Sequence, residues 1–220
     1  MNILVIAPHP DDEIIGVGGT IAKFIAEGNN VYICVATKGS EPLFSNEGVM
    51  KTREEARKCH NLLGIKKTYY LDFPAVMLER VERYEINNKI TKVINDALPN
   101  IVFIPHHGDI QKDHQIVSES ALVALRPKYN HKVTKIYAYE TLSETEWNLP
   151  HATNTFIPNV YIDISNYLDS KIKAMSLYKT QLADFPNPRS LEAIEALAKY
   201  RGATICSNAA EAFMLIREIA

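Results

Sequence analysis

NILVIAPHPDDE, residues 2–13, is the stretch from which the rest of the chain is read. Its first half is a short apolar run, partly β-branched, that stops at Pro8; a strand buried on both faces reads this way. From Glu13 onward the apolar residues Ile14, Val17, Ile21, Phe24 and Ile25 recur at helical spacing, and Gly28 and Asn29 end the run. A second apolar run, VYICVAT at 31–37, closes on Lys38-Gly39-Ser40. Strand, helix and strand joined by short connections make a βαβ unit, and its crossover is right-handed.

The alternation continues along the chain. A helix is expected at 52–63 closing on Gly64, a strand at 67–71, a helix at 81–97, a strand at 101–104 stopped by Pro105, a helix at 113–125 and a strand at 135–139. Past Glu140 the regularity weakens: 159–164 reads as an edge strand, two helices follow at 167–182 and 190–200, and 42–49 and 143–158 read as loops. No repeat, low-complexity segment or linker interrupts the chain. The expectation is one α/β domain spanning residues 1–220, with a doubly wound (Rossmann-like), mostly parallel sheet in a three-layer α/β/α arrangement.

With 46% hydrophobic residues the chain has apolar mass for one sizeable core, and a net charge of −2 provides no field to hold nucleic acid or a membrane surface. Cys34, Cys59 and Cys206 lie far apart, which suggests neither a thiolate zinc site nor a disulfide framework. The opening residues lack a basic n-region and cleavage site, and no apolar run approaches the ~20 residues of a membrane span. A cytoplasmic location is the resulting expectation.

The chemistry concentrates where the first strand meets the first helix. Ligands of open α/β sheets bind beyond the carboxyl ends of the strands, and His9, Asp11, Asp12 and Glu13 stand there between Pro8 and the helix. Taken singly, Asp12 or Glu13 reads equally well as a helix cap and His9 as a hydrogen-bonded structural histidine. Together they are hard to read as capping alone, because adjacent carboxylates repel unless a cation or a proton relieves them. The strand at 101–104 also ends in a polar cluster, His106, His107 and Asp109, followed by Asp113-His114 at a helix start. In a doubly wound sheet the two strand ends face each other. His9, Asp12 and His114 then form a two-histidine, one-carboxylate set with an open fourth position, the style of a catalytic zinc site. The same donors suit Fe²⁺, Mn²⁺ or Co²⁺.

These motifs resemble the LmbE-like (PIG-L) N-acetylglucosaminyl deacetylases. The resemblance rests on PHPDDE in its strand–helix setting and on the later Asp113-His114. It extends over 16–20 (GVGGT), Thr37-x-Gly39, 53–56 (REEA) leading to Leu63-Gly64, Arg201-Gly202 and 210–213 (AEAF). It implies a zinc-dependent hydrolase that removes an N-acetyl group from an N-acetylglucosamine-type sugar or conjugate. Metal ligands would be His9, Asp12 and His114. Asp11 would be the general base that takes a proton from the attacking water and returns it to the leaving amine. It further implies a small amino-sugar substrate, a homo-oligomer, and Arg53 as a contact to a sugar hydroxyl or substrate anion.

One departure stands out. Many members read His-Pro-Asp-His at the second motif, where the first histidine stabilises the tetrahedral intermediate; here the run is Gln111-Lys112-Asp113-His114. Gln111 offers only a neutral hydrogen bond to substrate. His107, or else His106, would reach in from upstream to replace the histidine, with Asp113 orienting a histidine or capping the helix.

The alternatives carried forward are a metal-dependent amidase on a larger acyl amide, a phosphoesterase and a non-catalytic sugar-binding module. A phosphoesterase would more naturally use two metals. Glycines 16, 18 and 19 read as close helix packing rather than a dinucleotide loop. Tyr69, Tyr70, Tyr137 and Tyr139 read mostly as core, Trp147 as a candidate sugar-stacking residue, His60 and His131 as solvent-facing, and His151 as a pocket-rim residue.

Overall fold

Strand β1 (Asn2–Ala7) is buried from residue 3 onward because it runs through the middle of the sheet with neighbours on both sides. The computed structural model describes residues 1–129 and 132–220. After β1 come α1 (Asp12–Ala26), β2 (Asn30–Lys38), α2 (Asn46–Leu63), β3 (Lys67–Pro74), α3 (Arg83–Ala97), β4 (Ile101–Pro105), α4 (Lys112–Ala124) and β5 (Lys135–Tyr139). The remaining elements are β6 (Val160–Asp163), α5 (Leu168–Met175), α6 (Leu191–Ala203) and β7 (Ala210–Glu218).

The strands lie in the order β3-β2-β1-β4-β5-β7-β6, with β3 to β5 parallel and β7 antiparallel to both β5 and β6. Alternate residues of each strand feed two cores. Leu4, Ile6 and Cys34 pack with Ile90 and Ile94 of α3 and Val117 of α4. On the opposite face Ile3, Val5 and Ile33 pack with residues of α1, α2, α5 and α6, among them Ile14, Cys59, Met175 and Ile194. This is the doubly wound three-layer fold. The order reverses at β1, whose neighbours are β2 on one side and β4 on the other. Loops leaving β1 and β4 therefore part at the topological switch point, the place where such sheets bind ligands.

Several boundaries differ from expectation. Helix α2 begins at Asn46, inside the segment read as a loop, because the Ser45 hydroxyl caps it by accepting from the Gly48 amide at 3.1 Å. The helix expected at 167–182 ends at Met175. Strand β7 is not anticipated by the sequence pattern; half buried and half partly exposed, it has no clean period. The glycines of α1 do mark close packing. A Cβ on Gly16 would lie 2.3 Å from the Tyr139 ring and one on Gly19 2.5 Å from Ile164.

Tying the last strand to the first helix, Glu211 of β7 accepts from the amides of Gly19 and Thr20 at 2.9 and 2.7 Å. Lys171 of α5 donates to Glu211 at 2.6 Å and to the Ile15 carbonyl at 2.7 Å, so the buried ammonium is both paired and hydrogen-bonded. Cys34, Cys59 and Cys206 are unpaired. No described helix is long and apolar enough to cross a membrane.

Candidate active site

Pro8 ends β1, and the turn that follows places Asp11 at the N-cap of α1 with φ of 119°, a conformation side-chain-bearing residues rarely hold. Buried bonds fix it: the Asp11 amide donates to Glu13 Oε2 at 3.1 Å, and the His9 amide to Asp12 Oδ2 at 2.9 Å. Glu13 is fully buried and accepts at Oε1 from the Tyr178 hydroxyl at 2.5 Å and from His60 Nε2 at 2.9 Å. His60 is in turn locked by the Thr68 hydroxyl at 2.8 Å. His60 is thus a buried brace for the loop, not the solvent-facing residue expected, because Glu13 requires a donor in the core.

The loop after β4 supplies the other half. His114, on the first turn of α4, directs its ring toward Asp12, with Nε2 3.3 Å from Oδ2. Its Nδ1–H donates to Asp109 Oδ2 at 2.8 Å, and Asp109 is held by the Thr145 hydroxyl at 2.6 Å. On the other side His9 places Nδ1 3.2 Å from Asp12 Oδ2 while its Nε2–H donates to Asp113 Oδ2 at 3.1 Å. Asp113 is fixed by the amides of Val76 and Leu78 at 2.6 and 3.2 Å. Each imidazole thus has one nitrogen held by a carboxylate and the other turned to Asp12, the arrangement that fixes metal-binding histidines.

His9, Asp12 and His114 each offer a ligand atom, all within 4.8 Å of one another. Two of the atoms available there, Asp12 Oδ1 and His114 Nε2, are buried without a hydrogen-bond partner. Such a group costs ~1–3 kcal/mol when left unsatisfied, and a cation would satisfy both. Nitrogen and carboxylate donors without thiolate fit Zn²⁺ or a related divalent metal.

Charge follows the same logic. Burial disfavours an imidazolium at His9, yet the bonds to Asp113 and Asp12 outweigh it and raise its pKa to about 9. For His114, burial is again overcome, here by Asp12 and Asp109, and the pKa rises to about 10. Burial alone would raise Asp12, but His114 and His9 hold it well below the ordinary carboxylate range. Asp11 is pushed up to about 8 by burial, against the opposing pull of Arg189.

A cleft of about 650 Å³ opens over this cluster. His9, Asp11, Gln111 and Arg53 line it, together with Glu144 and Arg189, which the sequence reading did not single out. Gln111 caps α4 by accepting from the Asp113 amide at 3.0 Å, which leaves its amide nitrogen 3.2 Å from His9 Nε2. Arg53 lies 3.7 Å above the Tyr70 ring and pairs with Asp72 at 2.6 Å. The Arg189 guanidinium contacts the Asp11 carboxylate directly. No local pattern flags Arg189, an arginine in a loop far along the chain.

His107 does not join the site. His106 is buried, donating to the Asn154 carbonyl at 2.9 Å, and Asp109 is drawn inward by His114, so His107 between them turns outward and is exposed. His106 is likewise absent from the cleft lining, as are Trp147, which is 58% exposed, and the exposed His151. Asp113 orients a histidine, His9, and Gln111 takes the capping role. His131 lies outside the described residues.

The profile of the PIG-L family, described as GlcNAc-PI de-N-acetylase, matches residues 4–125, more than half of the chain and both strand-end motifs. The chain belongs to the PIG-L family. Among PIG-L relatives, the diacetylchitobiose deacetylase of Thermococcus kodakarensis is 28% identical over 201 residues, covering 83% of this chain and 71% of that protein. A probable N-acetyl-α-D-glucosaminyl L-malate deacetylase 2 of Bacillus anthracis is 26% identical over 194 residues, covering 83% and 82%. Among solved structures, the conserved protein TT1542 of Thermus thermophilus superimposes with a TM-score of 0.81 at 27% identity, covering 100% of this chain and 96% of that one. The PIG-L relatives are named deacetylases, and the cleft of this chain holds a candidate site for the metal of a metal-dependent N-deacetylase.

Proposed function

We propose that the protein is a zinc-dependent deacetylase that removes the acetyl group from an N-acetylglucosamine-type sugar or conjugate. The observation that carries this reading is the pairing of a buried cluster, His9, Asp12 and His114, with a carboxylate outside it, Asp11, which lines the same cleft as His9. A zinc ion held by the three residues would supply Lewis acidity, polarising the amide carbonyl and acidifying a water.

The chain's own groups do the rest. Asp11 takes the proton of the attacking water at its carboxylate and returns it to the nitrogen that leaves. A group that both accepts and returns a proton works best with a pKa near the working pH, and burial moves Asp11 in that direction, to about 8. Asp113 and Asp109 keep the two imidazoles turned toward Asp12. Gln111 presents a neutral amide donor beside His9, and Arg53, stiffened by Tyr70 and Asp72, offers a sugar contact higher on the wall. A larger acyl amide is the second reading, favoured by the apolar side of the cleft formed by Leu43, Phe44, Val76 and Leu182.

The test is metal content by mass spectrometry together with amine release from N-acetylglucosamine, its oligosaccharides and an N-octanoyl analogue. Wild type is expected to hold one zinc per chain and release amine from the N-acetyl sugars. His114→Ala should lose the metal, and Asp11→Asn should keep it while turnover falls by about 10²–10⁴-fold. Faster cleavage of the N-octanoyl analogue would favour the second reading, and absence of both metal and activity after zinc is added back would overturn both.

A further inference from the structure

Asp11 lies beside Asp12, and its carboxylate must stay clear of that ligand while facing the cleft. The side chain in contact with it is Arg189. This arginine is itself held at both ends. Its amide donates to Asn187 Oδ1 at 2.8 Å in a tight loop, and Ser190 directly after it caps α6 by accepting from the Ala193 amide at 3.0 Å. At the far end Nε donates to the Ser143 hydroxyl at 2.7 Å. With Nε anchored, the planar fork aims one amino nitrogen at Asp11 and places the other 3.6 Å from Glu144 and 3.8 Å from Asp12 Oδ1. The side chain is 19% exposed and lines the cleft. Arg53, the other arginine of the lining, has its ion pair with Asp72 rather than with Asp11.

We propose that Arg189 is a positioning residue for the reaction: its guanidinium, fixed by Ser143, sets the Asp11 carboxylate in the orientation from which it moves the proton. The inference rests on the deacetylase reading for its kinetic consequence but on geometry alone for the contact. A pre-organised guanidinium loses little freedom in holding a carboxylate, whereas a lysine at this position would lose the fork and the anchor to Ser143 together. Misplacing a reacting group by about 1 Å costs on the order of 10²-fold in rate.

The experiment compares wild type, Arg189→Ala, Arg189→Lys, Asp11→Asn and the Asp11→Asn/Arg189→Ala double variant by metal content, kcat and KM for amine release, and thermal unfolding of the metal-free proteins. Arg189→Ala is expected to keep its metal and its KM while kcat falls on the order of 10²-fold. Guanidinium ion added to the assay should restore part of that kcat, and Arg189→Lys should recover little. A kcat close to wild type in Arg189→Ala, or loss of metal with activity, overturns the proposal. Should wild type itself release no amine, the deacetylase reading fails and the kinetic role falls with it, while the unfolding midpoints still decide the contact between Arg189 and Asp11. Non-additive effects of the two substitutions sustain the contact, and additive effects overturn it.

Discussion

Asp109 offers no ligand atom to the cluster, yet it decides which nitrogen of His114 is free. Its Oδ2 accepts from Nδ1–H at 2.8 Å, so Nε2 is the nitrogen turned to Asp12. Loss of a carboxylate in this position typically lowers metal affinity by about 10–100-fold. Asp109→Asn is therefore expected to bind zinc that much more weakly in a chelator competition. Unchanged affinity would contradict this role. Residues of this kind divide by how local their signal is. His9, Asp11 and Asp12 are legible because they are consecutive or nearly so at a strand end. Asp109 and Asp113 are visible as acids near histidines, without a sign of which histidine each would hold. Arg189 reaches Asp11 across a separation of 178 residues, and no spacing rule connects two such positions.

At the scale of elements, the close approach of α1 to the sheet sets the site's depth. Gly16 illustrates two opposing effects. Alanine there would gain up to about 1 kcal/mol in helix propensity, but its Cβ would sit 2.3 Å from the ring of Tyr139, whose hydroxyl donates to the Ile6 carbonyl at 3.0 Å in the core. Overpacking costs about 1–3 kcal/mol, so Gly16→Ala is expected to be destabilised by ~1–2 kcal/mol net in urea unfolding; a stabilised variant would refute the packing argument. The parallel strands are legible because strands buried on both faces carry unbroken apolar runs, as NILVIA does. Strand β7 is not. It lies between β5 and β6, and its second half is only partly covered, so neither continuity nor alternation marks it. Likewise the periodicity at 167–182 continues after the hydrogen bonds of α5 have ended, because the turns that follow still bury Tyr178 against Glu13.

For the whole molecule, the cluster links stability to pH and to metal. In the metal-free protein His9 and His114 keep their protons to about 9 and about 10, above the roughly 6.5 of an unfolded histidine. A raised histidine contributes stability that is complete below the unfolded value and is lost as pH rises through the folded one. Asp11, raised to about 8, acts in the same direction over that range. The unfolding midpoint of chelator-treated protein is therefore expected to fall between about pH 6.5 and 10. With zinc present the fall should be reduced, since the cation takes the place of the protons. A metal-free midpoint that rises over this interval would contradict the assignment of charges.

The bond from Glu211 to the interior of α1 spans 192 residues. While the chain is being synthesised, α1 can dock on its first strands, but two of its amides and the Lys171 ammonium have no carboxylate to meet until residue 211 has left the ribosome. Until then that ammonium stays in water, and burial of the pair waits for β7 to take its place between β5 and β6. Contacts of such long range close late and slowly. The docking of α1 is therefore completed by the last strand of the sheet.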